Sequence, residues 1–236
     1  MIGTVALTLA RQRLASPMRV LLAAVFFGFG IISVLFGGSL AMLGKSQQGL
    51  FGFVMAAGLI GQEVSSGVLT LTFARPLRRA DYVIGRWLGA SALASACVVL
   101  QVLVASAVAL LRHGDPTASQ VALKILEGSL AVTGVSALLL MFSSLVPGLG
   151  DLGLLLLSQI TVGVLSLAAI NWKIGWLDRA ATEIHRFLDA SLDLAPFFGQ
   201  GTISWFAVAS YLSSLTICVV VAIWAVNRTE LSYASG

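Results

Sequence analysis

The sequence predicts an all-α polytopic membrane protein of about six transmembrane helices, because each crossing needs roughly 20 mostly apolar residues and the chain offers five runs of that order and a shorter sixth. Three observations carry the prediction. Hydrophobic residues fill 58% of the 236 positions while charged residues fill 10%, far below the roughly one quarter charged in soluble domains. Mean hydropathy is +0.98. The apolar runs are long and rich in Leu, Val, Ala and Gly, without the apolar/polar alternation of barrel strands, so helices are left to satisfy the backbone in hydrocarbon.

Residues 1–16 place Thr4, Thr8, Arg11 and Gln12 on one helical face, the pattern of an interfacial helix, and Pro17 marks the elbow after it. The first span is expected at 20–42. A short polar hairpin at 43–48 holds Lys45, and the second apolar run, 49–61, is short for a span. That helix either starts nearer Lys45, whose stem can snorkel, or continues past Glu63 towards Ala74. Further spans are expected at 83–111, 121–146, 152–170 and 203–226. Pro147, Gly148 and Gly150 make the connection between the fourth and fifth a tight hairpin.

Basic residues in short loops mark the cytoplasmic side. Arg11, Arg13, Arg19, Arg75, Arg78, Arg79 and Arg86 fall on one side of the early spans and Lys45 on the other, so both termini are expected in the cytoplasm. The sequence pI of about 9.5 therefore reflects membrane orientation, and no nucleic-acid partner is expected. The first charge is Arg11 and the first apolar run is of span length, so no cleavable signal peptide is expected.

Between the last two spans, residues 171–202 form the one substantial segment on the outer side. Leu177, Ala180, Ala181, Ile184, Phe187, Leu188 and Leu192 recur at helical spacing, opposite Asp178, Arg179, Thr182, Glu183, Arg186 and Asp189. This predicts an amphipathic helix at the outer membrane face, with Trp172, Trp176 and Trp205 at headgroup level.

Catalytic chemistry finds little to use. His113 and His185 have no second His or Cys at ligand spacing, so no metal site is expected. Cys97 and Cys218 lie in apolar runs and read as small hydrophobes. Lys124 and Glu127 can pair along one helix face near the outer end of the fourth span, as a snorkelling pair or as a candidate outer gate. Asp151 reads as a favourable charge at a helix N-terminus. Gly85 and Gly89 form a G-x-x-x-G step, read as packing within the chain. No phosphate-cradling G-x-x-x-x-G-K-[ST] occurs, so ATP hydrolysis by that route is not expected of this chain.

The informative stretch is 61–89, GQEVSSGVLTLTFARPLRRADYVIGRWLG. Glu63 leaves the second apolar run, Ser65-Ser66-Gly67 breaks it, a short amphipathic piece follows, and Arg75-Pro76 turns the chain before Arg78 and Arg79. The stretch resembles the segment after the second span in permeases of the ABC type-2 transporter family, where Glu, then Ser-Gly-x-Leu, then Pro followed by Arg, then Gly-Lys or Gly-Arg recur. Here those are Glu63, Ser66-Gly67-Val68-Leu69, Pro76 with Arg78 and Arg79, and Gly85-Arg86, with Val68 where Thr is common.

The resemblance implies a coupling segment at 62–80 that docks on a separate ATP-binding subunit through Glu63, Ser66, Gly67, Leu69, Arg75, Pro76, Arg78 and Arg79. It also implies a second permease chain, ATP and Mg held by the partner ATPase, and no cofactor bound by this chain. The function it implies is ATP-driven export. The rival expectation is mechanotransmission to an extracytoplasmic protein, and an intramembrane enzyme is a third alternative that lacks a convergent ionisable cluster.

Overall fold

Pro17, pre-set for helical φ at the first position and lacking the N–H that would go unpaired there, starts the first long apolar helix. The computed structural model describes residues 2–65, 78–112, 114–189, 191–194 and 205–229. Before Pro17 lies α1 (Ile2–Leu14), and from it runs α2 (Pro17–Gly37). Gly38, at φ +68°, caps α2 by donating its N–H to Val34 O, a conformation that glycine adopts without a Cβ penalty. A 3₁₀ turn at Leu40–Met42 leads to α3 (Lys45–Ala56), a break, and α4 (Gly61–Ser65). Then follow α5 (Arg79–Leu111), α6 (Ala118–Leu145), α7 (Gly150–Trp172), α8 (Gly175–Asp189) and α9 (Trp205–Thr229). The described residues contain no strand.

Among the described residues, five helices, α2, α5, α6, α7 and α9, are long and apolar enough to cross a membrane. This is the helical, multi-pass architecture that the composition predicts. The second apolar run starts as the first of its two expected forms has it, with α3 beginning at Lys45, but it ends at Ala56, and with 12 residues it rises only about 18 Å, well short of a ~30 Å hydrocarbon core. It is also the most enclosed helix, with Gln48, Phe51, Val54 and Met55 all buried.

Packing defines two ends of the bundle. Gly85 and Gly89 lie against α1, where a Cβ at Gly89 would sit 2.7 Å from Ala6 O. The G-x-x-x-G step thus packs two helices of one chain. Arg79 Nη1 donates to Asn227 O at 3.3 Å, so the end of α9 meets the start of α5 beside α1. Leu9, Leu59, Ile60, Val83, Leu139 and Val226 form the core at this end, here termed the α1 face.

Val34, Leu43, Phe51, Val98, Val102 and Val132 form a second core towards the opposite face. There Thr117 and Gln120 make a reciprocal capping box at the start of α6, which satisfies two otherwise unpaired donors. Tyr211 donates to Leu130 O at 2.8 Å and Trp87 Nε1 to Thr133 O at 3.2 Å, so α9 and α5 are both fixed to α6.

The long helices also present apolar side chains outward. Leu156, Leu157, Ile160, Val164 and Leu167 of α7 are exposed, as residues facing hydrocarbon are. Asp178, Arg179, Thr182, Glu183 and Arg186 on α8 are exposed as well, while Ala181 and Leu188 turn inward. That is the amphipathic division expected from the spacing. Cys218 is buried, Cys97 half-buried, and both are free thiols.

Candidate functional site

The break between α3 and α4 organises the α1 face. Gly58 takes φ +65°, a left-handed conformation open to glycine at little cost, and the turn leaves backbone groups without helical partners. Side chains from four other helices supply them. Arg13 of α1 donates from Nη1 to Ala57 O at 2.9 Å, and Arg19 of α2 donates to the same oxygen at 3.3 Å and to Gln62 Oε1 at 3.2 Å. Ser143 Oγ of α6 accepts from the N–H groups of Ile60 and Gly61 at 3.0 and 2.8 Å. Asp151 of α7 accepts from Gly58 N–H at 2.5 Å and from its own helix at Leu152 N–H at 3.0 Å.

Gly61 is pressed against the α6–α7 turn. Its carbonyl accepts from Gly148 N–H at 2.7 Å, and a Cβ there would meet Gly148 O at 2.6 Å and Val146 O at 2.8 Å. No side chain fits at that position.

One turn further on, Glu63 forms an ion pair with Arg86 of α5 and accepts a hydrogen bond from Tyr82 OH. Arg86 also lies over the Tyr82 ring, 5.2 Å from its centroid, a cation–π distance. Glu63, Arg86, Arg13, Gln12, Gly58, Leu59 and Gln62 line a cavity of about 300 Å³ beside the break. Arg13 is 2% exposed. Burial pushes its guanidinium down to about 9, with Arg19 and Arg86 acting in the same direction and Asp151 and Tyr82 opposing. It remains charged at neutral pH.

Of the residues that the resemblance assigns to coupling, Glu63, Arg78 and Arg79 are described. Glu63 faces α5, Arg78 is exposed at the N-cap of α5, and Arg79 reaches the end of α9. Ser66, Gly67, Leu69, Arg75 and Pro76 lie outside the described residues, as does His113.

At the opposite face, Lys124 and Glu127 pair at 3.6 Å, as their spacing predicts. The pair is not a free snorkelling contact, because the Glu127 side chain is only 3% exposed and also meets Lys45 at 3.7 Å. Lys45 in turn meets Asp193 at 3.0 Å, Lys124 donates to Leu43 O at 3.2 Å, and Leu194 N–H donates to Glu127 at 3.3 Å.

Sequence reasoning missed the structural roles of Arg13, Ser143 and, in part, Asp151. Asp151 does serve its own helix N-terminus, but its second oxygen binds a residue 93 positions away. The one usable signal was the pair Gly58 and Gly61 inside an apolar run too short to span. No protein-family model and no curated protein matches this chain.

Proposed function

We propose that this chain is the permease subunit of an ABC-type transporter, coupling ATP hydrolysis by a separate ATP-binding subunit to the export of a substrate. In this reading the α1 face is cytoplasmic, α3 and α4 together make the second of six crossings of the plasma membrane, and both termini lie inside. Two permease chains form the pathway. The ATPase docks on residues 62–80.

The observation that carries the reading is the anchorage of α4. Glu63 is joined to α5 through Arg86 and Tyr82, and the turn leading into α4 is bonded to α1, α2, α6 and α7 through Arg13, Arg19, Ser143 and Asp151. A push on this segment is passed to five helices at once. A flexible loop would absorb it.

The test is co-expression with any ATP-binding subunit that a neighbouring gene is found to encode, followed by ATPase assays of the reconstituted complex. Glu63→Arg sets a cation against Arg86 and is expected to reduce stimulation of ATP turnover by the permease at least tenfold while membrane insertion is unchanged. Failure of every such subunit to associate, or undiminished stimulation in the variant, removes the reading.

A second reading, mechanotransmission to an extracytoplasmic protein, draws on the exposed polar side of α8, where Asp178, Arg179, Thr182, Glu183 and Arg186 all face outward. Cross-linking from Arg179 to a partner protein, with no solute movement by the ATP-driven complex, favours it over export.

A further inference from the structure

A half-open cavity of about 260 Å³ is lined by α3, α6, α7 and the C-terminal end of α8. Its lining is sorted by depth. α3 enters from the rim at Lys45 and Ser46 and descends past Leu50 to Phe53, while α6 contributes Val135 and Leu138 and α7 contributes Leu155 low in the wall and Gln159 above it. α8 adds His185 and Asp189 at the rim. Lys45 to Phe53 spans eight residues of helix, about 12 Å of depth. Gln159 apart, the polar lining residues belong to the start of α3, to α8 and to the residues just after it, and the rest of the wall is apolar.

We propose that this cavity binds a single-chain zwitterionic amphiphile of the lysophosphatidylcholine type, its chain between Leu50, Phe53, Leu138 and Leu155 and its head group at the rim. Three features select that chemistry. The rim carries Lys45, which also meets Glu127 and Asp193, and the carboxylate of Asp189, with His185 beside it, so a head group with both charges is matched where a singly charged one meets a like charge.

The volume of about 260 Å³ lies just below the usual 300–1,000 Å³ range of small-molecule pockets, a size that suits a single chain better than a two-chain lipid. The mouth lies at the C-terminal half of an amphipathic helix, with Trp176 exposed at the start of that helix and Trp172 exposed at the end of α7, and tryptophans of this kind lie at headgroup depth, where an amphiphile arrives in the correct orientation. The site goes beyond the permease reading and does not depend on it, since binding needs no ATP-binding subunit.

The experiment uses the full chain in phospholipid nanodiscs with a photoactivatable 14-carbon lysophosphatidylcholine, mapping labelled peptides by mass spectrometry. Saturable labelling of α3 and α6 around Leu50 and Val135 is expected. Unlabelled lysophosphatidylcholine should displace the probe at least tenfold better than anionic lysophosphatidylglycerol does. Leu50→Trp fills the cavity and should lower labelling about tenfold. Asp189 is exposed, so Asp189→Lys leaves the packing intact, and it should shift the preference towards the anionic head group.

Non-saturable labelling spread over exposed α7 residues such as Leu156 and Ile160, or equal displacement by both head groups, overturns the proposal. So does a head-group preference untouched by Asp189→Lys, whatever Leu50→Trp does. None of these results bears on whether an ATPase docks at the other end of the chain.

Discussion

At the α1 face the buried polar side chains Arg13, Ser143 and Asp151 bond to backbone atoms of the α3–α4 break, whereas at the opposite face Lys45, Lys124 and Glu127 bond chiefly to one another and to residues 193–194 that follow α8. The partners differ in what they tolerate. A backbone N–H in an apolar surrounding has no substitute when its acceptor is removed, while a side-chain carboxylate between two ammonium groups keeps one when it loses the other. The α1 face is therefore a strut that fixes the exit of α3, and the opposite face is a clasp whose contacts can be exchanged.

Removing Asp151 tests the strut most severely. Asp151→Ala leaves Gly58 N–H without its acceptor and deprives the buried Arg13 of a nearby carboxylate. Breaking one side of such a buried arrangement costs about 3–5 kcal/mol. Unfolding in detergent, followed by circular dichroism, should register a loss of that size, with Asp151→Asn intermediate because its amide oxygen still accepts one bond.

Ser143→Ala comes next. It strands the N–H groups of Ile60 and Gly61 together, and an unsatisfied buried donor costs roughly 1–3 kcal/mol. The same unfolding measurement should place it below Asp151→Ala and above any single change at the clasp. A Ser143→Ala protein as stable as the parent would mean that the turn is held by helix packing alone.

How much of this was open to a reader of the sequence follows from the range of each interaction. Hydropathy is summed over about 20 neighbouring residues, and it located α2, α5, α6, α7 and α9; helical spacing from Leu177 to Leu188 likewise located α8. Lys124 and Glu127 are three apart on one helix, so their pairing was legible too. The break was not. Gly58 and Gly61 look like small packing residues in an apolar run, and only the arrival of Asp151, Ser143 and Gly148 from more than 80 positions away gives them their roles. Arg13 misled for a related reason. As one of several early arginines it reads as an orientation signal at the headgroups, yet its side chain turns inward to Ala57.

Glu127→Gln probes the clasp at its buried centre. The amide oxygen can still accept from Leu194 N–H, while Lys45 retains Asp193 and Lys124 retains Leu43 O. Because every neighbour keeps a partner, the loss should be about 1 kcal/mol, near that of one ordinary hydrogen bond. A loss matching Asp151→Ala would make the clasp a second strut and end the contrast between the two faces.

The smallest effect is expected where the clasp meets water. Lys45 and Asp193 approach to 3.0 Å, but the Asp193 side chain is 63% exposed. An ion pair in that setting gains little Coulomb energy and loses side-chain freedom, leaving about 0.2–1 kcal/mol. Because both residues make other contacts, single substitutions overstate the pair, and a double-mutant cycle of Lys45→Ala with Asp193→Asn isolates it. The coupling should fall towards zero as ionic strength rises from 0.01 to 1 M and the screening length shrinks from about 30 to 3 Å. A coupling above about 2 kcal/mol that survives high salt would place this pair in a dry environment, with the segment after α8 folded down as a fixed wall of the cavity beneath it.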